Sequence, residues 1–402
     1  MLVFGLFISF SLIIILVNRK IPIGISVISG GVVLALFAGL GVKEISMIIL
    51  RGLMESNTIE LVLAVVFIGF LSTMMQSYGI LDRMVESLEQ LFNSTKALVF
   101  FIPSLLSTFN ATGSAIVAAP ILDTLGDRVG LSNARKAAVN IYIRHAWYFV
   151  LPIAVHLINA SFISEIPIGK FIVIQIPIAL MSFLAAYLVY IKPLKEEQLN
   201  KKVNHQQRFR YLLSTLLYTS PILISLFLVF WMPFYIALLV GCLFTYFIRK
   251  EEKPLIETVV KGINFPVIYA AAGVMVFKEI IKSIPDLSIL IDKLLTLGIP
   301  LEIIVVLITL LLSYIAANVS VVVSMMYPLV LPLIELEHRV ALAMLIYTAA
   351  YSAYLISPIH MCQALTVEYF RVPLKELYPE YKITLPVMFF TGVITYIVLV
   401  NL

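Results

Sequence analysis

Residues 96–122 read KALVFFIPSLLSTFNATGSAIVAAPIL. An apolar arm runs into hydroxyls, an amide and a glycine around Asn110, and a second apolar arm follows. Each arm, as a helix of about a dozen residues, is roughly 18 Å long, enough to reach the middle of a bilayer but not to cross it. The pattern predicts a re-entrant hairpin over 97–122. Its tip must face protein or a watery cavity, because lipid cannot satisfy irregular backbone N–H and C=O groups.

The surrounding chain supplies the membrane context. Of its 402 residues 61% are hydrophobic and 13% charged, and mean hydropathy is +1.04. Those values predict an all-α polytopic membrane protein with the lipid bilayer as its main partner. Apolar segments are expected to span near 2–17, 21–41, 59–77, 137–164 and 170–191, then near 211–231, 233–248, 264–281, 340–368 and 383–401. The N-terminal segment lacks a basic leader region and a small-residue cleavage site, and is read as a first span. The pI near 9.0 needs no nucleic-acid partner, since sorting of basic residues to one membrane face explains it. Cys242 and Cys362 both lie in apolar runs, which argues against a disulfide framework and against a thiolate metal site.

The chain repeats itself. Arg51-Gly52 matches Lys261-Gly262 and Asp82-Arg83 matches Asp292-Lys293 at an offset of 210. Asn110 and Pro120 match Asn318 and Pro328 at 208, and Tyr148, Pro152 and Pro167 match Tyr354, Pro358 and Pro373 at 206. An offset drifting in one direction predicts a tandem duplication, residues 1–191 and 211–402, joined by a polar linker over 192–210. Five spans per repeat require the second copy to enter the membrane from the opposite side, so the repeats are expected to be inverted. The second hairpin falls at 302–334, with its tip at Asn318, Val319 and Ser320. With both termini outside, the cytoplasmic segments, linker included, hold 20 of the 28 Lys and Arg, which favours that orientation.

Beside each hairpin lies an over-long span broken at proline: IYIRHAWYFVLPIAVHLINASF (141–162) around Pro152 and IYTAAYSAYLISPIHMCQALTVEYF (346–370) around Pro358. Their expected extents are 137–164 and 340–368. Proline removes a donor and frees carbonyls near mid-membrane. Such carbonyls, with Asn and hydroxyl oxygens, suit a small cation such as Na⁺, and half-helix N-termini suit a carboxylate.

Two inverted repeats, each with a hairpin followed by a broken span, resemble the ion transporter superfamily of gluconate permeases, citrate carriers and dicarboxylate symporters. The stretch SPIHMCQALTVEYF (357–370) is similar to the DUF401 group of prokaryotic integral membrane proteins, a relative of the gluconate permeases. In sodium-coupled members each tip carries Ser-Asn-Thr. The corresponding stretches here are Phe109-Asn110-Ala111-Thr112 and Ala317-Asn318-Val319-Ser320, which keep the Asn and a hydroxyl in shifted register. The resemblance implies that Asn110, Thr112, Gly113, Asn318 and Ser320 line a central site, Na⁺ at the tips included, with Ser357, Pro358 and the Pro152 region as neighbours. It also implies a homodimer in the prokaryotic inner membrane.

Arg144 and His145 precede Pro152 by about two turns. An intramembrane Arg costs on the order of 2.5 to 3.5 kcal/mol on insertion scales, so Arg144 is read either as an anchor for an anionic solute or as a side chain snorkelling to the cytoplasmic face. His145, His156 and His360 are candidate proton carriers, His360 foremost, against a bland role as hydrogen-bonded core histidines. Glu60, Glu279 and Glu368 lie near span ends, and Lys278 beside Glu279 suggests interfacial solvation. Asp82, Arg83, Glu86 and Glu89 sit on a short segment expected to lie flat at the interface. No HExxH, GxSxG, GxGD or GxxxxGK[ST] string occurs, so hydrolase and ATPase chemistry lacks its residues and no enzyme or cofactor is expected. The sequence therefore predicts a secondary transporter of a small organic anion, a hydroxy- or sugar-acid carboxylate, driven by H⁺ or Na⁺. The alternatives are a cation/proton antiporter, an inorganic-anion exporter, a membrane-embedded enzyme and an accessory subunit.

Overall fold

The computed structural model describes residues 2–92, 94–107, 114–195, 204–284 and 300–401. The first tip, with Asn110, Thr112 and Gly113, lies outside them, as do most of the linker and the Asp292-Lys293 pair. The described residues form helices and no strand. In the first half these are α1 (Leu2–Asn18), α2 (Ile23–Phe37), α3 (Val42–Met54), α4 (Ser56–Ser77), α5 (Ile80–Leu91), α6 (Thr95–Leu106), α7 (Ser114–Arg128), α8 (Asn133–Ala146), α9 (Val155–Ser164) and α10 (Ile168–Ala186). The second half has α11 (His205–Leu228), α12 (Phe234–Phe247), α13 (Leu255–Lys261), α14 (Phe265–Lys282), α15 (Leu301–Ala316), α16 (Val319–Val330), α17 (Leu336–Ile356), α18 (Met361–Phe370), α19 (Leu374–Leu377) and α20 (Thr384–Val400).

Four stretches are long and apolar enough to cross a membrane, Ser56–Ser77, Ile168–Ile191, Gln206–Leu228 and Leu336–Phe370, and two bent pairs raise the number to six. The other expected spans are shorter: α12 has 14 residues, roughly 21 Å of helix. Pro22 and Pro233 stand immediately before α2 and α12 and set their starts, because the residue before a helix can lack a helical N–H donor at no loss.

Helices α8 and α17 occupy the middle. Every residue from Lys136 to Ala146 and from Ala341 to Leu355 is buried, the pattern of a helix covered all round. Two of their tyrosine hydroxyls are satisfied by neighbours: Tyr142 Oη donates to the Thr384 carbonyl at 2.8 Å and Tyr347 Oη to the Tyr148 carbonyl at 2.9 Å. Around this centre α2 crosses α14 and α12 crosses α4, while α9 packs on α16 and α7 on α18. The α2–α14 crossing requires glycine: a Cβ on Gly24 would stand 1.9 Å from the Tyr269 carbonyl oxygen. Of the matched pairs, Arg51-Gly52 lies in the last turn of α3 and Lys261-Gly262 at the end of α13, with Gly52 close against α14 and Gly262 close against α4.

Helix α5 is amphipathic. Ile80, Leu81, Met84, Ser87 and Leu88 are buried, whereas Asp82, Arg83 and Glu86 are exposed. Two lysines are enclosed and paired with carboxylates. Lys136 reaches Asp123 and Asp127 on α7. Lys278, 1% exposed, pairs with Glu165 at 2.9 Å rather than being solvated beside Glu279. Lys282 meets the same carboxylate at 2.6 Å. Burial alone would raise the Glu165 carboxyl, but the hydrogen bonds from Lys282 and Lys278 outweigh it and hold the group at about 2.

A candidate solute cavity between the two halves

The break between α15 and α16 is short. Ala317 adopts a left-handed conformation at φ 46°, and the Asn318 carboxamide oxygen caps α16 by accepting from the Val321 N–H at 3.1 Å. A side-chain acceptor at this position satisfies one of the free N–H groups of the first turn. Ser320 follows within that turn, and its Oγ receives Asn159 Nδ2 at 2.9 Å and contacts His156 Nδ1 at 2.8 Å. Both partners stand on α9, so one hydroxyl joins the two halves of the chain.

The two proline breaks are the same turn. Ala154 N–H donates to the Leu151 carbonyl at 3.0 Å, and His360 N–H to the Ser357 carbonyl at 3.1 Å. These positions differ by 206. Each turn leads into a helix of 10 residues, α9 or α18. Each helix ends on a left-handed residue, Glu165 at φ 61° and Arg371 at φ 53°, again 206 apart. Ser357 takes part in holding its turn, since its Oγ donates to the Tyr314 carbonyl at 2.7 Å and its own carbonyl accepts from Gln363.

A cavity of about 830 Å³ runs from the α1–α2 turn to the α15–α16 break. Among the described residues its polar lining comprises Asn18, Lys20, His145, Tyr148, His156, Asn159, Asn318, Ser320, Tyr354 and Cys362, and no carboxylate. Of the residues singled out in the sequence, Asn318, Ser320, His145 and His156 line it directly. Arg144, Pro152, Ser357, Pro358 and His360 do not. Arg144 is 1% exposed, so its side chain does not snorkel to the surface. Its charge acts on Tyr148, His145 and His360. His360 lies behind the wall, its ring 3.9 Å from that of Tyr354 and 4.9 Å from that of His145. His145 Nδ1 is held by the Ile141 carbonyl at 2.6 Å.

Asn159, Tyr148, Tyr354 and Lys20 were not among the sequence-based site residues. The tyrosines register in the sequence only as repeat markers, and Asn159 is a single amide in an apolar run. That polarity in an otherwise lipid-like stretch is the signal that could have found it.

The described residues define an all-helical, predominantly apolar protein with an open, largely apolar cavity whose few polar groups come from both halves. The chain belongs to DUF401, described as a family of proteins of unknown function, which it matches over residues 3–401. No curated protein matches it.

Proposed function

We propose that this protein is a secondary transporter of a small organic anion, a hydroxy- or sugar-acid carboxylate, and that the cavity is its solute site in an inward-facing state. The observation that carries this reading is the composition of the wall: amide, hydroxyl, imidazole and ammonium groups from both halves converge on about 830 Å³, with no Asp or Glu among the described lining residues. A carboxylate solute finds donors there, and the N-terminus of α16 points its free N–H groups and positive dipole end at the same place.

Inverted repeats with re-entrant hairpins complete the proposal. The matching turns at Leu151–Ala154 and Ser357–His360, the paired left-handed stops and the reciprocal crossings of α2 on α14 and α4 on α12 support them. Alternating access then consists of one part of each repeat rocking against the remainder around the cavity. The coupling ion is H⁺ or Na⁺, with the imidazoles beside the wall as the proton route and the tip oxygens as the sodium route.

The test is the thermal stability of the detergent-purified protein against gluconate, citrate, succinate, lactate and phosphate, with Na⁺ or K⁺, at two pH values. A ligand that binds only the folded state raises Tm according to RT ln(1 + [L]/Kd). A carboxylate-dependent rise that disappears in Ser320→Ala supports the proposal. A panel in which no carboxylate moves Tm sinks it.

A further inference from the structure

Three metal-binding side chains meet at one side of the cavity, His145 and Cys362 in its wall and His360 behind it. The ligand atoms of His145, His360 and Cys362 lie within 4.8 Å of one another, and all three residues are buried. His145 comes from α8, His360 from the second proline turn and Cys362 from the first turn of α18. The sequence places these residues more than 200 positions apart on one side, which is why two cysteines in apolar runs give no hint of a thiolate site. The fold supplies the missing imidazoles.

Two further observations point to a ligand. His145 Nδ1 is engaged with the Ile141 carbonyl, the outer bond that orients a metal-ligating imidazole and leaves Nε2 as the lone-pair nitrogen. Among the described residues that Nε2 has no partner, and neither ring nitrogen of His360 has one. His360 is completely buried. Three buried ring nitrogens without a partner among the described residues are costly unless something occupies the space between them. Metal–nitrogen bonds of about 2.0 Å and metal–sulfur bonds of about 2.3 Å bring ligand atoms to roughly 3.5 Å apart. Side-chain rotation of about 1 Å within the observed cluster is enough.

We propose that His145, His360 and Cys362 form a site for a thiophilic metal ion, Cu⁺ in preference to Zn²⁺. One thiolate with two imidazoles suits both ions. The local charge separates them. Arg144, buried and adjacent to His145 on α8, brings a positive charge beside the cluster, which disfavours a centre that keeps a net positive charge. Cu⁺ with one thiolate is neutral, whereas Zn²⁺ with one thiolate retains one positive charge. Binding releases the Cys362 thiol proton to solvent, and no electron is transferred. Because His145 and Cys362 also line the cavity, the open coordination position faces it. The metal ties α8 of the first half to the turn and α18 of the second. This inference is independent of the transported solute.

The experiment is anaerobic titration of the purified full-length protein with Cu⁺ against a chromophoric Cu⁺ chelator, with X-ray absorption of the loaded protein and a parallel Zn²⁺ arm. One Cu⁺ per chain with one sulfur and two nitrogen neighbours is expected. Cys362→Ala, a small change at a buried site, should weaken binding by more than the about 10- to 100-fold that loss of an outer-shell partner costs. His360→Gln should do the same. Cys242→Ala, on α12, should leave affinity unchanged and serves as the folding-matched control. Tm of each metal-free variant shows whether it is folded. Cu⁺ affinity that is insensitive to Cys362→Ala in a folded protein, or that is lost equally in Cys242→Ala, overturns the site. Tighter Zn²⁺ than Cu⁺ binding overturns the choice of ion.

Discussion

Ser320 is the hinge of the argument at the residue scale, because its single oxygen holds two side chains from the other half of the chain. Replacing it by Ala removes the acceptor for Asn159 Nδ2 and leaves the side chain of Asn159, which is buried, without either partner, since its Oδ1 already has none. Leaving a buried polar group unmet costs about 1–3 kcal/mol. Ser320→Ala is therefore expected to lower stability by that amount in denaturant titration, with Ser320→Thr recovering most of it. An unchanged midpoint in Ser320→Ala would remove the inter-half anchor from the account. Glu165 offers a second test, in the pH profile. Its folded-state carboxyl is held at about 2, below the usual carboxylate value. The stabilisation from its pairing with Lys282 and Lys278 is then fully present above about pH 4.5 and is lost as pH falls toward the folded value. Glu165→Gln should flatten this acid limb of the stability curve while leaving neutral-pH solute binding intact, and an acid limb identical in the two proteins would show that the ion pairs contribute nothing.

At the scale of elements, the α15–α16 break shows what the sequence could and could not convey. Its position was legible, because an amide and a hydroxyl interrupt an apolar run at Asn318 and Ser320. The two proline turns were legible for the same kind of reason: Pro152 and Pro358 forbid continuous helix, and both turns close on the third residue along. Which side chains face the space between elements was not legible. His145 and His360 belong to different halves, and only the packing of α8 against α18 brings their rings to 4.9 Å. The same limit explains Ser357, which reads as a site residue but is used to fasten its turn to the Tyr314 carbonyl. Ala317 supplies this scale's prediction. A left-handed alanine is strained by about 1–2 kcal/mol, and glycine relieves this at an entropic loss of about 0.5–1 kcal/mol. Ala317→Gly should thus raise the denaturation midpoint slightly, by a few tenths to about 1 kcal/mol, and Ala317→Val should lower it, since a β-branched residue there is an outlier. If glycine destabilises the protein as much as valine does, strain at Ala317 is not what limits the break.

For the molecule as a whole, the cavity and the charge distribution make one joint statement about direction. The cavity reaches the α1–α2 turn, where Lys20 is exposed. The segments on that side of the proposed topology are those that hold most of the Lys and Arg, and such residues are retained in the cytoplasm. Lys170, exposed at the start of α10, falls on the opposite side in the same scheme. Single cysteines at these two positions, in a background carrying Cys242→Ala and Cys362→Ala, separate the possibilities with a membrane-impermeant maleimide. In right-side-out vesicles Lys170→Cys should be labelled and Lys20→Cys protected, with the pattern reversed in inside-out vesicles. Solute added from the cytoplasmic side should slow labelling of Lys20→Cys, which stands at the mouth of the cavity, and leave Lys170→Cys unaffected. Reversed labelling of both cysteines would invert the topology and turn the same cavity into an outward-facing one. Labelling of both from one side would break the inverted-repeat arrangement itself, because an odd number of crossings separates the α1–α2 turn from the start of α10.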